Sequence, residues 1–203
     1  MTSLLLLLAL LTVLAYLSGS LTPSIWITKM VTGVDVRDAG SGHATTTNTI
    51  RQAGFGPGAV VFVIDLAKGY LPVFLAVRFL PSILWVIPVA AAAVIGHCWP
   101  VFAGFRGGMG LATAGGTLLA VQPLSLLVAV AVLVVLLLTI RHAARATVIT
   151  ALLLPLVFWL AKFQLDLVYL TIAIAAVIVV RFLANWNREY RELWLDREKK
   201  DAH

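Results

Sequence analysis

The sequence is poor in charged residues and in cysteine, and each shortage narrows what the protein can be. Charged side chains make up only 12 % of its 203 residues. Its one cysteine, Cys98, excludes an intramolecular disulfide and a cysteine-based metal cluster. Hydrophobic residues make up 61 %, and the mean hydropathy is +1.01. This composition excludes a soluble globular domain and predicts an all-α polytopic membrane protein that forms one domain, residues 1–203.

Hydrophobic runs that can cross a hydrocarbon core of about 30 Å predict the transmembrane helices. A cleaved signal peptide is the alternative for the first run, but no Lys or Arg precedes it. The fourth run is short and rich in glycine, so it could either span the membrane or turn back. The predicted spans are Leu4–Ile27, Gly58–Val77, Ile83–Trp99, Phe105–Val121, Leu124–Ile140, Thr147–Ala161 and Asp166–Leu183.

The distribution of basic residues favours seven spans, with the N-terminus outside and the C-terminus in the cytoplasm. Most of the net charge of +6 lies in short connections and the tail, which is typical of membrane orientation and not of a nucleic-acid-binding patch. With seven spans only Arg78 and Lys162 lie outside. A fourth run that turned back would separate the basic connections onto two sides. The tail, residues 185–203, is predicted to be an amphipathic helix at the cytoplasmic interface.

Three polar segments converge on the cytoplasmic face in this topology. Lys29–Pro57 is dense in hydroxyls and arginines, which suits either a solvated loop or an anion site. Gly96–Gly116 surrounds Arg106 with glycines, as in a phosphate-binding loop or a surface for close helix packing. Asp65 and Lys68 share one face of the second span, as a structural ion pair or a catalytic one. Together they predict a site for one or more phosphates near the lipid boundary.

In their order and spacing these segments resemble the acyl-phosphate-dependent glycerol-3-phosphate acyltransferases of bacterial inner membranes, over about residues 16–188. The family's Gly-Ser turn, Val-Asp-hydrophobe-Arg segment and Asp-x-x-Lys-Gly segment correspond to Gly19-Ser20, Val34–Arg37 and Asp65–Gly69. Its first motif, Gly-Ser-Gly-Asn-x-Gly-x-Thr-Asn-x-x-Arg, is matched at Gly40, Ser41, Gly42, Thr47, Asn48 and Arg51. Its second motif, around Gly-His-x-Phe-Pro-Val-Phe and a Lys-Gly-Gly-Lys-Gly loop, is matched at Gly96, His97, Pro100, Val101, Phe102, Phe105, Gly107, Gly108, Gly110, Ala112 and Thr113.

The resemblance implies an enzyme of phospholipid biosynthesis that transfers a fatty acyl group from acyl phosphate to the sn-1 hydroxyl of glycerol 3-phosphate. It implies catalytic roles for Ser41, Arg51 and His97. It also implies a location in the bacterial inner membrane, in contact with its lipids, with the active site facing the cytoplasm. Because acyl phosphate is already activated, we expect catalysis by positioning and charge stabilisation, without metal or cofactor. The residues expected to bind substrate or phosphate are Thr47, Asn48, Lys68, Arg106, Gly107, Gly108, Gly110, Arg141 and Asn185.

The sequence departs from the family pattern at several of these positions. Arg106 replaces the first lysine of the glycine loop, which keeps the charge, whereas Met109 replaces the second and removes it. Ala144 stands where the family has a serine, and Phe182 stands at a family histidine. In the first motif His43, Ala44 and Thr45 stand where the family has Asn-x-Gly. These changes leave open an alternative, a relative that is non-catalytic or uses another acceptor. A transporter is disfavoured because the hydropathy shows no inverted repeat.

Overall fold

The computed structural model describes residues 1–187, and the regular structure of these residues is entirely helical. Short 3₁₀ turns at Val36–Asp38 and Val101–Ala103 lie within the two longest connections. The α-helices, in chain order, are α1 Thr2–Ser20, α2 Pro23–Thr32, α3 Thr46–Ala53, α4 Phe55–Phe79, α5 Ile83–Cys98, α6 Leu111–Val121, α7 Pro123–Ile140, α8 Ala143–Leu160 and α9 Leu165–Leu183.

Six stretches of these residues are long and apolar enough to cross a membrane, which confirms the helical polytopic class. They are Thr2–Thr32, Phe55–Phe79, Ile83–Ala103, Pro123–Ile140, Ala143–Leu160 and Leu165–Leu183. Helix α6 has 11 residues, so it is about 16 Å long at 1.5 Å per residue. That is shorter than the hydrocarbon core, so its length does not decide whether it crosses. The seventh crossing stays a prediction.

The first predicted span, Leu4–Ile27, lies within the apolar stretch Thr2–Thr32, and the structure breaks this stretch into two helices. The helix ends at Ser20, and Leu21 is extended, with φ −64° and ψ 132°. A second helix begins at Pro23. Proline has no amide hydrogen for the preceding turn, and it disfavours helical geometry in the residue before it, so it ends one helix and opens the next. The break leaves the carbonyl of Leu21 outside the helical hydrogen-bond ladder.

Four glycines allow the helix backbones to approach each other closely. A Cβ on Gly19 or on Gly96 would lie 2.2 Å from a carbonyl oxygen of the facing helix, which brings α1 against α5. A Cβ on Gly69 or on Gly116 would lie 2.0 Å from one, which brings α4 against α6. Small residues at such crossings are typical of membrane helices. The ends of Gly96–Gly116 therefore serve helix packing, and only its middle forms a loop.

The helices bring several of their ends to one region of the bundle. The C-terminal parts of α5, α7 and α9 meet the N-terminal parts of α6 and α8 there, and α3 closes the region from the side. Beyond α9, residues 184–187 form turns. The rest of the predicted tail helix, including the match to a family arginine at Arg188, lies outside the described residues.

Candidate active site

A cavity of about 350 Å³ lies where these helix ends meet. The polar lining residues of the loop before α3 and of α3, α4 and α5, which we together term the polar wall, are Ser41, Thr45, Thr46, Thr47, Arg51, Asp65 and His97. The larger apolar lining residues and Ala143, which we together term the apolar wall, are Phe62, Met109, Leu111, Leu133, Leu137, Ala143 and Phe182. The cavity therefore suits a ligand that combines an anionic group with an apolar part.

The loop before α3 is folded around the side-chain amide of Asn48, which is fully buried. Asn48 Oδ1 accepts from the Ser41 amide at 3.1 Å. Asn48 Nδ2 donates to the carbonyl of Val36 at 2.7 Å and to those of Ala39 and His43, each at 3.1 Å. These bonds use the polar atoms of the amide within the protein. Asn48 thus holds Ser41 in place. It was expected to bind phosphate, but it does not line the cavity.

The structure brings Ser41, Thr47 and Arg51 together on the polar wall, as the first motif predicts. Ser41 is 6 % exposed. Within residues 1–187, neither its Oγ nor Thr46 Oγ1 has a hydrogen-bond partner. Buried hydroxyls usually have partners, so oxygens of this kind at a cavity are available to a bound ligand. Thr45 caps α3 by accepting from the Asn48 amide at 3.2 Å, which fixes the helix that carries Arg51.

Two residues of the polar wall, Asp65 and His97, form a buried cluster with Lys68; the three side chains are 2 %, 6 % and 4 % exposed, respectively. Lys68 Nζ donates to Asp65 Oδ1 at 2.9 Å and to the carbonyl of Leu21, and it lies 3.3 Å from His97 Nδ1. The Asp65 backbone accepts from Thr113 Oγ1 at 3.0 Å, which ties the cluster to α6. Asp65 and His97 reach the cavity lining and Lys68 does not.

Hydrogen bonds to its backbone carbonyls hold the glycine loop between α5 and α6 in place. Arg181 donates through Nε to the Gly108 carbonyl at 2.8 Å and through Nη2 to the Gly107 carbonyl at 3.1 Å. The Ala44 amide also donates to Gly107, at 3.4 Å, which joins the two motif loops. The Gly108 amide donates to the His97 carbonyl at 3.1 Å. The sequence analysis missed Arg181, although an arginine within an apolar span is itself a signal of function.

A second connection joins the two loops at the protein surface. Asp35 accepts from Arg37 Nη2 at 2.7 Å, and Arg37 Nη1 donates to the Ala103 carbonyl at 2.9 Å. The side-chain hydrogen bonds from Arg37, with a smaller contribution from the charge of Arg106, hold the pKa of Asp35 below its usual value. The Val34–Arg37 segment thus secures the first loop against the second.

Of the residues expected to bind substrate or phosphate, Thr47 and Gly110 line the cavity. Besides Asn48 and Lys68, the residues that do not line it are Arg106, Gly107, Gly108, Arg141 and Asn185. Arg106 is exposed on the glycine loop, on the side of Asp35. Arg141 is exposed at the C-terminus of α7 with a φ of +54°. Asn185 is 9 % exposed, and its Nδ2 donates to the Arg181 carbonyl at 3.4 Å, next to the arginine that holds the glycine loop. Among residues 1–187, the lining contains Arg51 as its one arginine and no lysine.

Three of the departures from the family pattern, at Met109, Ala144 and Phe182, lie close together. Met109 and Phe182 are both part of the apolar wall, and Ala144 is fully buried next to the lining residue Ala143. Each of the three replaces a polar or charged residue of the motifs with an apolar one. Within the described chain no group of three or more His, Cys, Asp or Glu side chains is arranged to hold a metal ion.

Comparison with known proteins identifies a close family likeness. The family model described as glycerol-3-phosphate acyltransferase matches residues 9–192. The chain is 36 % identical to the glycerol-3-phosphate acyltransferase of Aquifex aeolicus over 179 residues, 88 % of this chain and 93 % of the relative. It is 40 % identical to that of Rubrobacter xylanophilus over 177 residues, 87 % of this chain and 88 % of the relative.

Solved structures of a related membrane enzyme share the fold. The crystal structure of PlsY, an integral membrane glycerol 3-phosphate acyltransferase, in its glycerol 3-phosphate form superposes with a TM-score of 0.80 at 35 % identity. This match covers 89 % of this chain and 90 % of the other. The lysophosphatidic acid form of PlsY gives a TM-score of 0.79 at 34 % identity, with the same coverage.

Proposed function

The chain belongs to the glycerol-3-phosphate acyltransferase family, and on that premise we propose that it transfers a fatty acyl group from acyl phosphate to the sn-1 hydroxyl of glycerol 3-phosphate. The product is lysophosphatidic acid, an intermediate of phospholipid biosynthesis. The observation that carries the proposal is the mixed lining of the cavity, whose polar wall includes Arg51 and whose apolar wall is built from α4, the glycine loop and α6 to α9. Acyl phosphate has the same mixed character, with an anionic head and a long apolar chain.

The reaction needs little more than correct placement of the two substrates. The sn-1 hydroxyl oxygen attacks the acyl carbonyl carbon, the bond from that carbon to the phosphate oxygen breaks, and phosphate leaves. The hydroxyl proton passes to the departing phosphate, so the enzyme supplies neither a nucleophile nor a cofactor. Holding both reactants in the attacking geometry and stabilising the negative charge lowers the barrier.

We infer roles for three residues of the polar wall. The Arg51 guanidinium neutralises phosphate charge and can bind two oxygens at once. The Ser41 hydroxyl, which is buried at the cavity, hydrogen-bonds a substrate oxygen. Thr47 adds a hydroxyl beside Arg51. The glycine loop closes the site at the end of α5, where its carbonyls are held by Arg181 and its backbone passes close to His97.

We place the site on the cytoplasmic side of the bacterial inner membrane, with seven crossings and the N-terminus outside. Support comes from the chain direction, because Leu111 at the start of α6 and Leu137 near the end of α7 line the same cavity. Helix α6 therefore leads away from the site and α7 returns to it. A segment that turned back would leave the end of α7 on the opposite side. The basic residues of the connections then follow the positive-inside rule.

The direct test is an assay of the detergent-purified protein with acyl phosphate and radiolabelled glycerol 3-phosphate. We expect labelled lysophosphatidic acid from the wild type and none detectable from Arg51→Ala. Arg78→Ala is the matched control, since Arg78 lies at the far end of α4 with its guanidinium 5.2 Å from the centre of the Phe74 ring, and it should keep wild-type activity. Folded wild-type protein that forms no product would refute the proposal, as would an Arg51→Ala variant with full activity.

A further inference from the structure

The buried cluster determines which nitrogen of His97 carries the proton. An ammonium group has three hydrogens to donate and cannot accept. Around Lys68 Nζ lie three acceptors, namely the Leu21 carbonyl, Asp65 Oδ1 at 2.9 Å and His97 Nδ1 at 3.3 Å. All three hydrogens are used only if His97 Nδ1 accepts. The first of these acceptors exists because the chain breaks between α1 and α2.

The opposite arrangement fits the distances less well. If Nδ1 of His97 carried a hydrogen, its acceptor would be Asp65 Oδ1, 3.5 Å away, which already accepts from Lys68 at 2.9 Å. Two donors, Nδ1–H and the ammonium, would then face each other at 3.3 Å. A doubly protonated imidazole would place a second cation at that same distance from Lys68, which electrostatic repulsion opposes. The neutral ring that accepts at Nδ1 avoids both conflicts.

From this we infer that Lys68 and Asp65 are positioning residues that hold His97 as its Nε2–H tautomer. In a neutral imidazole one nitrogen accepts and the other donates, so an accepting Nδ1 makes Nε2 the donor. Because His97 lines the cavity and its Nδ1 is engaged in the cluster, Nε2–H is the polar edge that remains for a ligand. Nε2 and Cε1 lie next to Gly108, at 2.2 and 3.0 Å from the position of an ideal Cβ there.

The consequence is a specific catalytic role for His97. A donor at Nε2 stabilises negative charge on an oxygen of the substrate, and it cannot remove the proton of the acceptor hydroxyl. If acyl transfer is the reaction, as proposed above, this charge develops on the carbonyl oxygen as the hydroxyl adds or on the phosphate oxygen as it leaves. A fixed donor that faces such an oxygen costs no reorganisation during the reaction.

¹⁵N NMR of the histidine rings identifies the tautomer directly, whether or not the protein is catalytically active. The chain has four histidines, so the protein is labelled with ¹⁵N-histidine in a variant in which His43, His142 and His203 are replaced by Gln. We expect the spectrum of His97 at neutral pH to show a protonated Nε2 and a bare Nδ1. A proton on Nδ1, alone or with one on Nε2, would overturn the inference. A protein with this tautomer that formed no lysophosphatidic acid would instead count against the proposed function alone.

Variants of the cluster test the cause of the tautomer. In Lys68→Met the ammonium is gone, so Nδ1 is expected to take the proton and donate to Asp65, and the spectrum should shift towards the Nδ1–H form. Asp65→Asn keeps an oxygen that accepts from Lys68, so it should keep the Nε2–H form. If Lys68→Met left the tautomer unchanged, Lys68 would not be its cause.

Two substitutions of His97 distinguish a role as hydrogen-bond donor from a role as general base. The amide of Gln places an N–H donor near the position of Nε2 but cannot act as a base, whereas Leu supplies neither. We expect His97→Leu to lower kcat about 100- to 1,000-fold, the usual effect of losing one such donor, and His97→Gln to stay within about tenfold of the wild type. KM for glycerol 3-phosphate should change little in either variant. Equal losses of kcat in the two variants would contradict the donor role.

Discussion

The two walls of the cavity are built in different ways. The polar wall comes mainly from the connection before α3 and from α3 itself, and hydrogen bonds to particular partners hold it in place, with Asn48 and Lys68 at their centres. The apolar wall comes mainly from the sides of the membrane helices α4 and α6 to α9, with Met109 added from the glycine loop. One wall supplies charge and hydroxyls at fixed points, and the other supplies a surface along which an acyl chain can lie.

This difference predicts unequal tolerance to substitution. A buried hydrogen bond that loses one partner leaves the other unsatisfied, whereas an apolar contact of similar volume is replaced at low cost. Beside the apolar wall a second cavity of about 110 Å³, almost entirely apolar, continues between α6, α7, α8 and α9 and shares Leu111, Leu133 and Thr147 with the first. Changes on the polar side should therefore affect the reaction more than changes on the apolar side.

The largest effect that we expect from a single methyl group is at Gly108. A Cβ there would lie 2.2 Å from His97 Nε2 and 2.5 Å from the Ala44 carbonyl, so Gly108→Ala must displace either the His97 ring or the first loop. We expect kcat to fall at least about 100-fold, comparable to the loss of a hydrogen-bond donor in an active site. Steady-state kinetics of the purified variant measures the change.

Gly56→Ala is the matched control for that methyl group. Gly56 lies in the first turn of α4, a Cβ there would meet nothing within 4 Å, and its φ is not positive. The control should retain wild-type kcat and KM. A Gly108→Ala variant as active as this control would mean that the loop can move away from His97, and the polar wall would be less rigid than its hydrogen bonds indicate.

The sequence allowed prediction of the fold class and of several motif residues that meet at the cavity, because both depend on local patterns. Apolar runs gave the spans α4, α5, α7, α8 and α9 to within a few residues, and motif spacing placed Ser41, Arg51 and His97 at one cavity. The break at Pro23 was missed because the apolar run continues across it, and hydropathy does not register a missing amide hydrogen.

Contacts between distant segments could not be predicted from the sequence. Nothing in the local sequence indicates that Arg181, over 70 residues beyond the glycine loop, holds the carbonyls of Gly107 and Gly108. For the same reason Asn48 and Arg106 were expected to bind phosphate, although the fold uses the amide of the first within its loop and leaves the second exposed. Motif membership selects candidate site residues, and only the fold distinguishes those that line the cavity from those that support it.

A smaller effect is expected when the polar wall loses its internal support. Asn48→Ala would leave the buried Ser41 amide without its partner, at a cost of about 1–3 kcal/mol, and would remove one of the two side-chain donors to the Val36 carbonyl. We expect a lower melting temperature in detergent and a loss of activity of about tenfold, since Ser41 is no longer held.

Gln52→Ala provides the comparison for Asn48. Gln52 Nε2 donates to the Val36 and Ala39 carbonyls at 2.8 and 3.1 Å, but its side chain is only half-buried, so water can replace it. The Gln52→Ala variant should therefore lower the melting temperature less than Asn48→Ala does. If the two variants melted alike, the Ser41 contact would not be what makes Asn48 important.

The smallest effect that we expect comes from making the apolar wall more like the polar one. Met109→Lys restores the charge of the family's glycine loop inside the cavity, and we expect glycerol 3-phosphate to bind about threefold to tenfold more tightly, the value of one modest charged hydrogen bond. The gain stays small because Met109 is 9 % exposed, so the new ammonium loses much of its hydration. A thermal-shift titration with glycerol 3-phosphate measures the change in affinity, since binding to the folded state raises its apparent stability.

Met30→Lys, at a position that is 85 % exposed on α2, adds the same charge away from the cavity and should leave binding unchanged. Unchanged or weaker binding in Met109→Lys would mean that the phosphate of glycerol 3-phosphate does not approach the apolar wall. The acceptor would then have to lie entirely against Arg51 and the hydroxyls of the polar wall.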